Sequence, residues 1–198
     1  MPRKTNTIPA KKTILLVVEG ETEKIYFSQM KSAENNQHVT IIPRMAKYSS
    51  PIRIIEDAIK AASDNVYDSI WCIFDRDVFI NDKISDDLER KINLAKKKKV
   101  KFADSLPAFE IWFLLHYCIP KQFYKNQDEL ITELKKHIAN YQKNKDWLAR
   151  VNLYNMLKDY IENAISNNKK LEQRNNEIQD SNVSMCNVYK LIQEIFEE

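Results

Sequence analysis

Glycine is almost absent: the chain has 1 in 198 residues, where average usage of about 7% would give roughly fourteen. Glycine-rich phosphate loops are therefore excluded, including Walker A and dinucleotide-binding fingerprints. Gly-x-Ser-x-Gly and His-Glu-x-x-His are also missing. ATP hydrolysis by this chain, serine hydrolysis and zincin chemistry lose support together. Cysteine is scarce too. Cys72, Cys118 and Cys186 are widely spaced and form no Cys-x-x-Cys pair, which argues against a disulfide framework or zinc cluster and fits three core thiols in a reducing cytoplasm. No apolar run approaches the roughly 20 residues of a membrane span. The longest are Ile14–Val18 and Ile111–Leu115, and Met1–Lys12 is polar and basic, without a signal pattern. The expectation is a soluble cytoplasmic protein without membrane contact. Charge of one sign is not in excess either: a net +3 does not announce a nucleic-acid partner, so any such binding must come from local clustering.

What is present is a regular alternation. Thr13–Val18 is a continuous β-branched and apolar run, the pattern of a strand buried on both faces. A helix follows over Glu21–Ala33, then strand Val39–Pro43, helix Ile52–Ala62, strand Asp68–Phe74, a charged helix Ile84–Lys99 and strand Val100–Ala103. Strands alternating with helices predict an α/β fold with a largely parallel central sheet flanked by helices. After Pro107 the texture becomes helical. Pro107–Tyr117 is apolar on most of its circumference, and further helices are expected near Asn126–Ala139, Asp146–Ser166 and Met185–Glu197. Asn167–Asn182 has no large apolar cluster and is expected to be a long loop. The division is a core over residues 13–104, a C-terminal helical extension over 105–198 packed on it, and a flexible tail over 1–12.

Two acidic elements follow buried strands. Glu19-Gly20-Glu21-Thr22-Glu23 sits at the first strand–helix junction, and Asp75-Arg76-Asp77 ends the third strand. In a parallel sheet the carboxyl ends of the strands share one edge, where ligands bind, so Glu19 and Asp75 should converge. Glu23, four residues on, can return to the same space. At 5 Å and an effective dielectric near 20, two carboxylates repel by about 3 kcal/mol, so one is protonated or a cation holds them. Oxygen ligands without His or Cys favour Mg²⁺ or Mn²⁺, and such an ion suits phosphodiester chemistry. The retained Gly20 implies either φ > 0 or a close approach by another group. The competing readings are structural: acids favoured by the helix macrodipole, and an Asp-x-Asp turn.

A buried strand ending in Glu-Gly, with a later one ending in Asp-x-Asp, resembles the Toprim domain of topoisomerases, primases and overcoming-lysogenization-type nucleases. The string Val17-Val18-Glu19-Gly20-Glu21-Thr22-Glu23 with Tyr26-Phe27, and above all Ser105–His116 (SLPAFEIWFLLH), resembles RloB-like proteins; the similarity spans roughly residues 13 to 195. That resemblance implies a Toprim-like core, divalent-metal dependence, a role in restriction-linked or abortive-infection phage defence, and a separately encoded ATPase as a partner. Residue by residue, Glu19 corresponds to the Toprim glutamate, Asp75 and Asp77 to its metal-binding aspartates, and Glu23 to the second glutamate of nuclease-type versions. Met45–Ser50 departs from the pattern in lacking glycines.

Glu110, within an apolar helix, requires a partner, because an unpaired buried carboxylate is costly; a lysine or the metal cluster would serve. His116 is a candidate general base or phosphate contact, or else a hydrogen-bonded core residue. Lys47 and Arg76 lie nearest the acidic edge as candidates to touch a scissile phosphate. The Lys96–Lys99 run is better read as helix C-terminal cations. Residues 121–170 hold ten Lys/Arg against six Asp/Glu, among aromatics expected to be mainly core. The resulting expectation is an Mg²⁺- or Mn²⁺-dependent nuclease acting on DNA or RNA, with homo-oligomerisation left open. The alternatives are a non-catalytic component that binds nucleic acid or an ATPase, and a nucleotidyl transferase.

Overall fold

A computed structural model describes residues 11–34, 38–64, 66–76, 86–121, 123–178 and 183–196. Four parallel strands make the central sheet, in the order β2-β1-β3-β4: β1 (Lys12–Val18), β2 (Val39–Met45), β3 (Ser69–Ile73) and β4 (Lys101–Phe102). Val18 is in register with Met45 on one side and Ile73 on the other, so β1 and β3 end together. From β1 the chain winds outward to β2, and from β3 it winds outward to β4. The order reverses between β1 and β3, and in such sheets ligands bind at the carboxyl ends of the strands beside that reversal.

Every side chain from Ile14 to Val18 is completely buried, because helices cover both faces of the sheet. Alternate residues divide between two cores. Leu15, Val17, Ile70, Cys72 and Phe74 pack with α2 (Pro51–Ser63) and α3 (Asp86–Lys97). Ile14, Leu16, Val18, Trp71 and Ile73 pack with α1 (Glu21–Glu34) and the later helices. Those helices are α4 (Glu110–Leu115), α5 (Gln127–Leu134), α6 (Lys145–Arg150), α7 (Leu153–Leu157), α8 (Ile161–Ile178) and α9 (Val188–Phe196), with a 3-10 turn at Lys158–Tyr160. A two-stranded antiparallel ribbon, β5 (Ser105–Leu106) with β6 (Met185–Cys186), brings the start of α9 beside the end of β4. Burying each of these large apolar side chains contributes roughly 1.5–3 kcal/mol, and α4, with Ile111 to Leu115 all fully buried, is the most enclosed helix.

Asparagine takes over local tasks in this glycine-poor chain. Asn126, Asn144 and Asn152 each accept a backbone N–H through the side chain and so cap α5, α6 and α7. The two positive-φ positions among the described residues are Lys99 (59°) and Asn140 (62°), where a glycine would be the usual occupant.

The loop expected over 167–182 is corrected: α8 runs unbroken to Ile178. Ile161, Ala164, Ile165, Asn168 and Leu171 are buried at helical spacing. The polar stretch is held by tertiary hydrogen bonds, Arg174 Nη1 to Pro120 O (2.6 Å) and Asn175 Nδ2 to Ser184 O (2.9 Å). The single helix expected over 146–166 is instead broken into α6, α7 and the 3-10 turn before α8. Of the expected tail, Lys12 opens β1, and residues 1–10 lie outside the described residues.

Candidate functional site

Glu19 is the first residue past β1, and Asp75 lies just past β3. The Asp75 N–H donates to Glu19 Oε2 at 2.9 Å, while the Glu19 N–H continues the ladder to Ile73 O. The two sequence-distant acids therefore meet at the carboxyl ends of β1 and β3, as the parallel topology predicted. Asp75 is half-buried, yet its Oδ1 is fully buried and has no hydrogen-bond partner among the described residues. Burial and then the neighbouring Glu23 charge push its carboxyl well above the ordinary aspartate range.

Glu23, in the first turn of α1, is buried and turns back toward the strand end. Its Oε2 accepts the Gly20 N–H at 3.1 Å. A Cβ on residue 20 would stand 3.2 Å from that oxygen. Close approach by a carboxylate, and not positive φ, is thus what the only glycine accommodates. Burial raises Glu23 to about 7, and the carboxylates of Glu110 and Glu19 act in the same direction.

Glu110 opens α4 with no solvent exposure. Its Oε1 accepts from Tyr141 Oη at 2.9 Å and lies 3.2 Å from Lys143 Nζ. Burial pulls the Lys143 ammonium down, but Glu110, Asp75 and Glu23 outweigh this and hold it above the ordinary lysine value. Lys143 is therefore a fixed cation within a group of at least three carboxylates. Of the two partners expected for Glu110, a lysine or the metal cluster, the structure supplies the lysine. Which of the many lysines it would be was not readable, because Lys143 sits in an undistinguished Asn-Tyr-Gln-Lys-Asn connection between α5 and α6.

His116 belongs elsewhere. It is buried, its Nδ1 is 2.8 Å from Trp112 O, and its ring lies edge-on to Trp112. Since a carbonyl only accepts, Nδ1 carries the proton. Desolvation lowers the imidazole to about 4, and no carboxylate counters it. Lys47 donates its N–H to Asp57 Oδ2 and holds its ammonium over Tyr48. Arg76 forms an ion pair with buried Asp104 and reaches Met185 Sδ. Asp77 lies outside the described residues. Among the described residues, no three His, Cys, Asp or Glu side chains converge closely enough to hold a metal ion as they stand. Glu19 and Glu23 each spend an oxygen on a backbone N–H.

An all-parallel, helix-flanked sheet with acids on adjacent strand ends at its reversal point defines an α/β protein of Rossmann- or Toprim-like fold. More narrowly, a family model described as RloB-like protein matches residues 14–195, and the chain belongs to the RloB-like family. No curated protein and no solved structure matches it. No helix among the described residues is long and apolar enough to cross a membrane.

Proposed function

We propose that this protein is a metal-dependent nuclease that hydrolyses phosphodiester bonds of DNA or RNA in restriction-linked or abortive-infection defence. One observation carries the reading: Glu23, Asp75 and Glu110 are grouped around Lys143 at the sheet's reversal point, with Glu19 bonded to the Asp75 N–H and Asp75 Oδ1 buried and unpartnered. A buried carboxylate oxygen without a hydrogen-bond partner is uncommon, and carboxyl groups shifted by burial and by one another cluster at functional sites.

The donor set contains only oxygens, which suits Mg²⁺ or Mn²⁺; Glu19, Asp75 and Asp77 would hold the ion. When bound, it would supply Lewis-acid polarisation of a phosphoryl oxygen. Glu23, poised near 7, is suited to take a proton from an attacking water and return it to the leaving oxygen, since a general base works best near the operating pH. The Lys143 ammonium would offset charge accumulating on the phosphoryl oxygens. Glu110 and Tyr141 would hold that ammonium in place. His116, neutral and enclosed, would support α4 and not the chemistry.

The test is cleavage of a mixed DNA and RNA panel with Mg²⁺, Mn²⁺ or EDTA, comparing wild type with Glu19→Ala and Asp75→Ala. Metal-dependent cleavage, lost in both folded variants, is expected. A second reading, a non-catalytic module that binds nucleic acid or a partner ATPase, draws on the Lys143–Glu110 pair, which neutralises part of the cluster without a metal. Folded wild type that neither binds divalent ions nor cleaves would favour it.

A further inference from the structure

On the α3 face of the sheet is a cleft of about 420 Å³, bounded by α3, the end of β4 and the start of α9, within the ~300–1,000 Å³ range of small-ligand sites. Its apolar walls come from Phe74, Leu88, Ile92 and Phe102, with the two rings edge-to-face at 6.3 Å. Its cations are Arg76, Lys96 and Lys190. Its carboxylate, Asp104, is already bound by Arg76 and by Asn187 Nδ2 (2.8 Å). Lys190 is shared with Glu172 and Asn187. Lys96 makes no ion pair among the described residues and is exposed. A pocket with an apolar, aromatic interior and a cationic rim suits an anion carrying a flat, largely apolar body.

We infer that this cleft binds a nucleoside phosphate, its base against the Phe74–Phe102 wall and its phosphate among Lys96, Lys190 and Arg76. Phe74 and Arg76 flank Asp75 in the chain, and alternation along the extended segment turns them to the opposite side of the sheet from the Asp75 carboxylate. A nucleotide held here therefore lies across the end of β3 from the acidic group. The inference deepens the nuclease reading, on which it rests for the placement of the scissile bond. The occupant is either a free nucleotide or one unit of a strand that rounds the end of β3 toward Asp75.

The experiment is equilibrium binding in EDTA, where no cleavage occurs. The probes are AMP, ATP, short single-stranded DNA and RNA, and an abasic strand of equal length. Lys96→Glu and Lys190→Glu alter exposed side chains and should each weaken nucleotide binding by roughly tenfold, as loss of a charge-assisted phosphate contact does. Lys60→Glu, the same charge reversal at an exposed site on α2, should leave it unchanged. Binding of AMP or ATP with this pattern identifies a free-nucleotide site; the same pattern confined to strands, with the abasic strand weaker, identifies a strand subsite. Equal losses in all three variants, an abasic strand bound as tightly as the natural one, or no binding of any probe overturns the inference. Binding through the cleft without cleavage in Mg²⁺ or Mn²⁺ would remove the nuclease reading and leave the cleft. Cleavage insensitive to Lys96 and Lys190 would do the reverse.

Discussion

Lys143 Nζ lies 3.2 Å from Glu110 Oε1, joining a connection between α5 and α6 to the most enclosed helix of the protein. Glu110 is wholly buried, whereas the Lys143 side chain keeps 30% of its exposure. The pair thus spans the boundary between core and surface, and its energetics are unequal in the two partners.

Lys143→Met strands a buried carboxylate, so a loss of about 3 kcal/mol is expected, the lower end of the range for a broken buried pair because lysine is partly solvated. Glu110→Gln together with Lys143→Met should recover most of it. Urea denaturation of the two single variants and the double variant measures the coupling. Additive losses would show that the pair is not a unit.

Glu23 is raised from 4.5 to about 7 in the folded chain. A raised carboxyl favours the fold while it is protonated, and that advantage is lost as pH climbs from 4.5 through 7. Metal-free Glu23→Gln should therefore match wild type near pH 4 and exceed it above pH 8, by roughly 3 kcal/mol at 1.36 kcal/mol per pKa unit. Thermal melts in EDTA across this window provide the check, and parallel pH profiles for the two proteins would contradict it.

Glu194 on α9 is oppositely placed. Burial alone would raise it, but Lys101 (2.6 Å) and Lys12 (3.0 Å) outweigh that and lower it to about 2; Trp71 Nε1 also donates to it at 2.9 Å. A depressed carboxyl stabilises fully above pH 4.5 and loses that contribution as pH falls toward 2. Glu194→Gln should lower the melting temperature by a few degrees at pH 7, since such partly solvated pairs contribute about 1 kcal/mol or less each. The gap should close near pH 2, and an unchanged gap there would point to packing instead of charge.

Lys99, two residues past α3, has φ 59°, while the Val100 N–H returns to Ala95 O at 3.0 Å, the 6→1 bond of a helix C-terminal cap. Lysine pays for that left-handed conformation, so Lys99→Gly should stabilise by about 1 kcal/mol. A differential melt of the two proteins decides it. A loss would mean that the lysine side chain contributes more than its backbone costs.

The parallel strands were legible because each is a short β-branched run buried on both faces, a signal carried by adjacent residues. Glu19 and Asp75 could be placed because both directly follow such runs, and parallel topology aligns strand ends. The helix through Asn167 to Ile178 was not legible: its polar residues hydrogen-bond to Pro120, far off in the chain, and to Ser184 beyond the helix end, contacts that local hydrophobicity does not report. Lys143 was hidden for a related reason, since ten Lys/Arg share residues 121–170 and nothing local separates the one that enters the acidic group from those in solvent.

By itself, then, the sequence determined the alternating α/β order, the acids at two strand ends and the need for a partner at Glu110, since hydrophobic periodicity and the cost of burying a charge act through local composition. Only the tertiary structure decided that Lys143 is that partner, that Gly20 makes room for Glu23 instead of supplying a left-handed turn, and that His116 faces the core. Those outcomes depend on which distant surfaces pack together, and packing is set by the complementarity of whole elements in space.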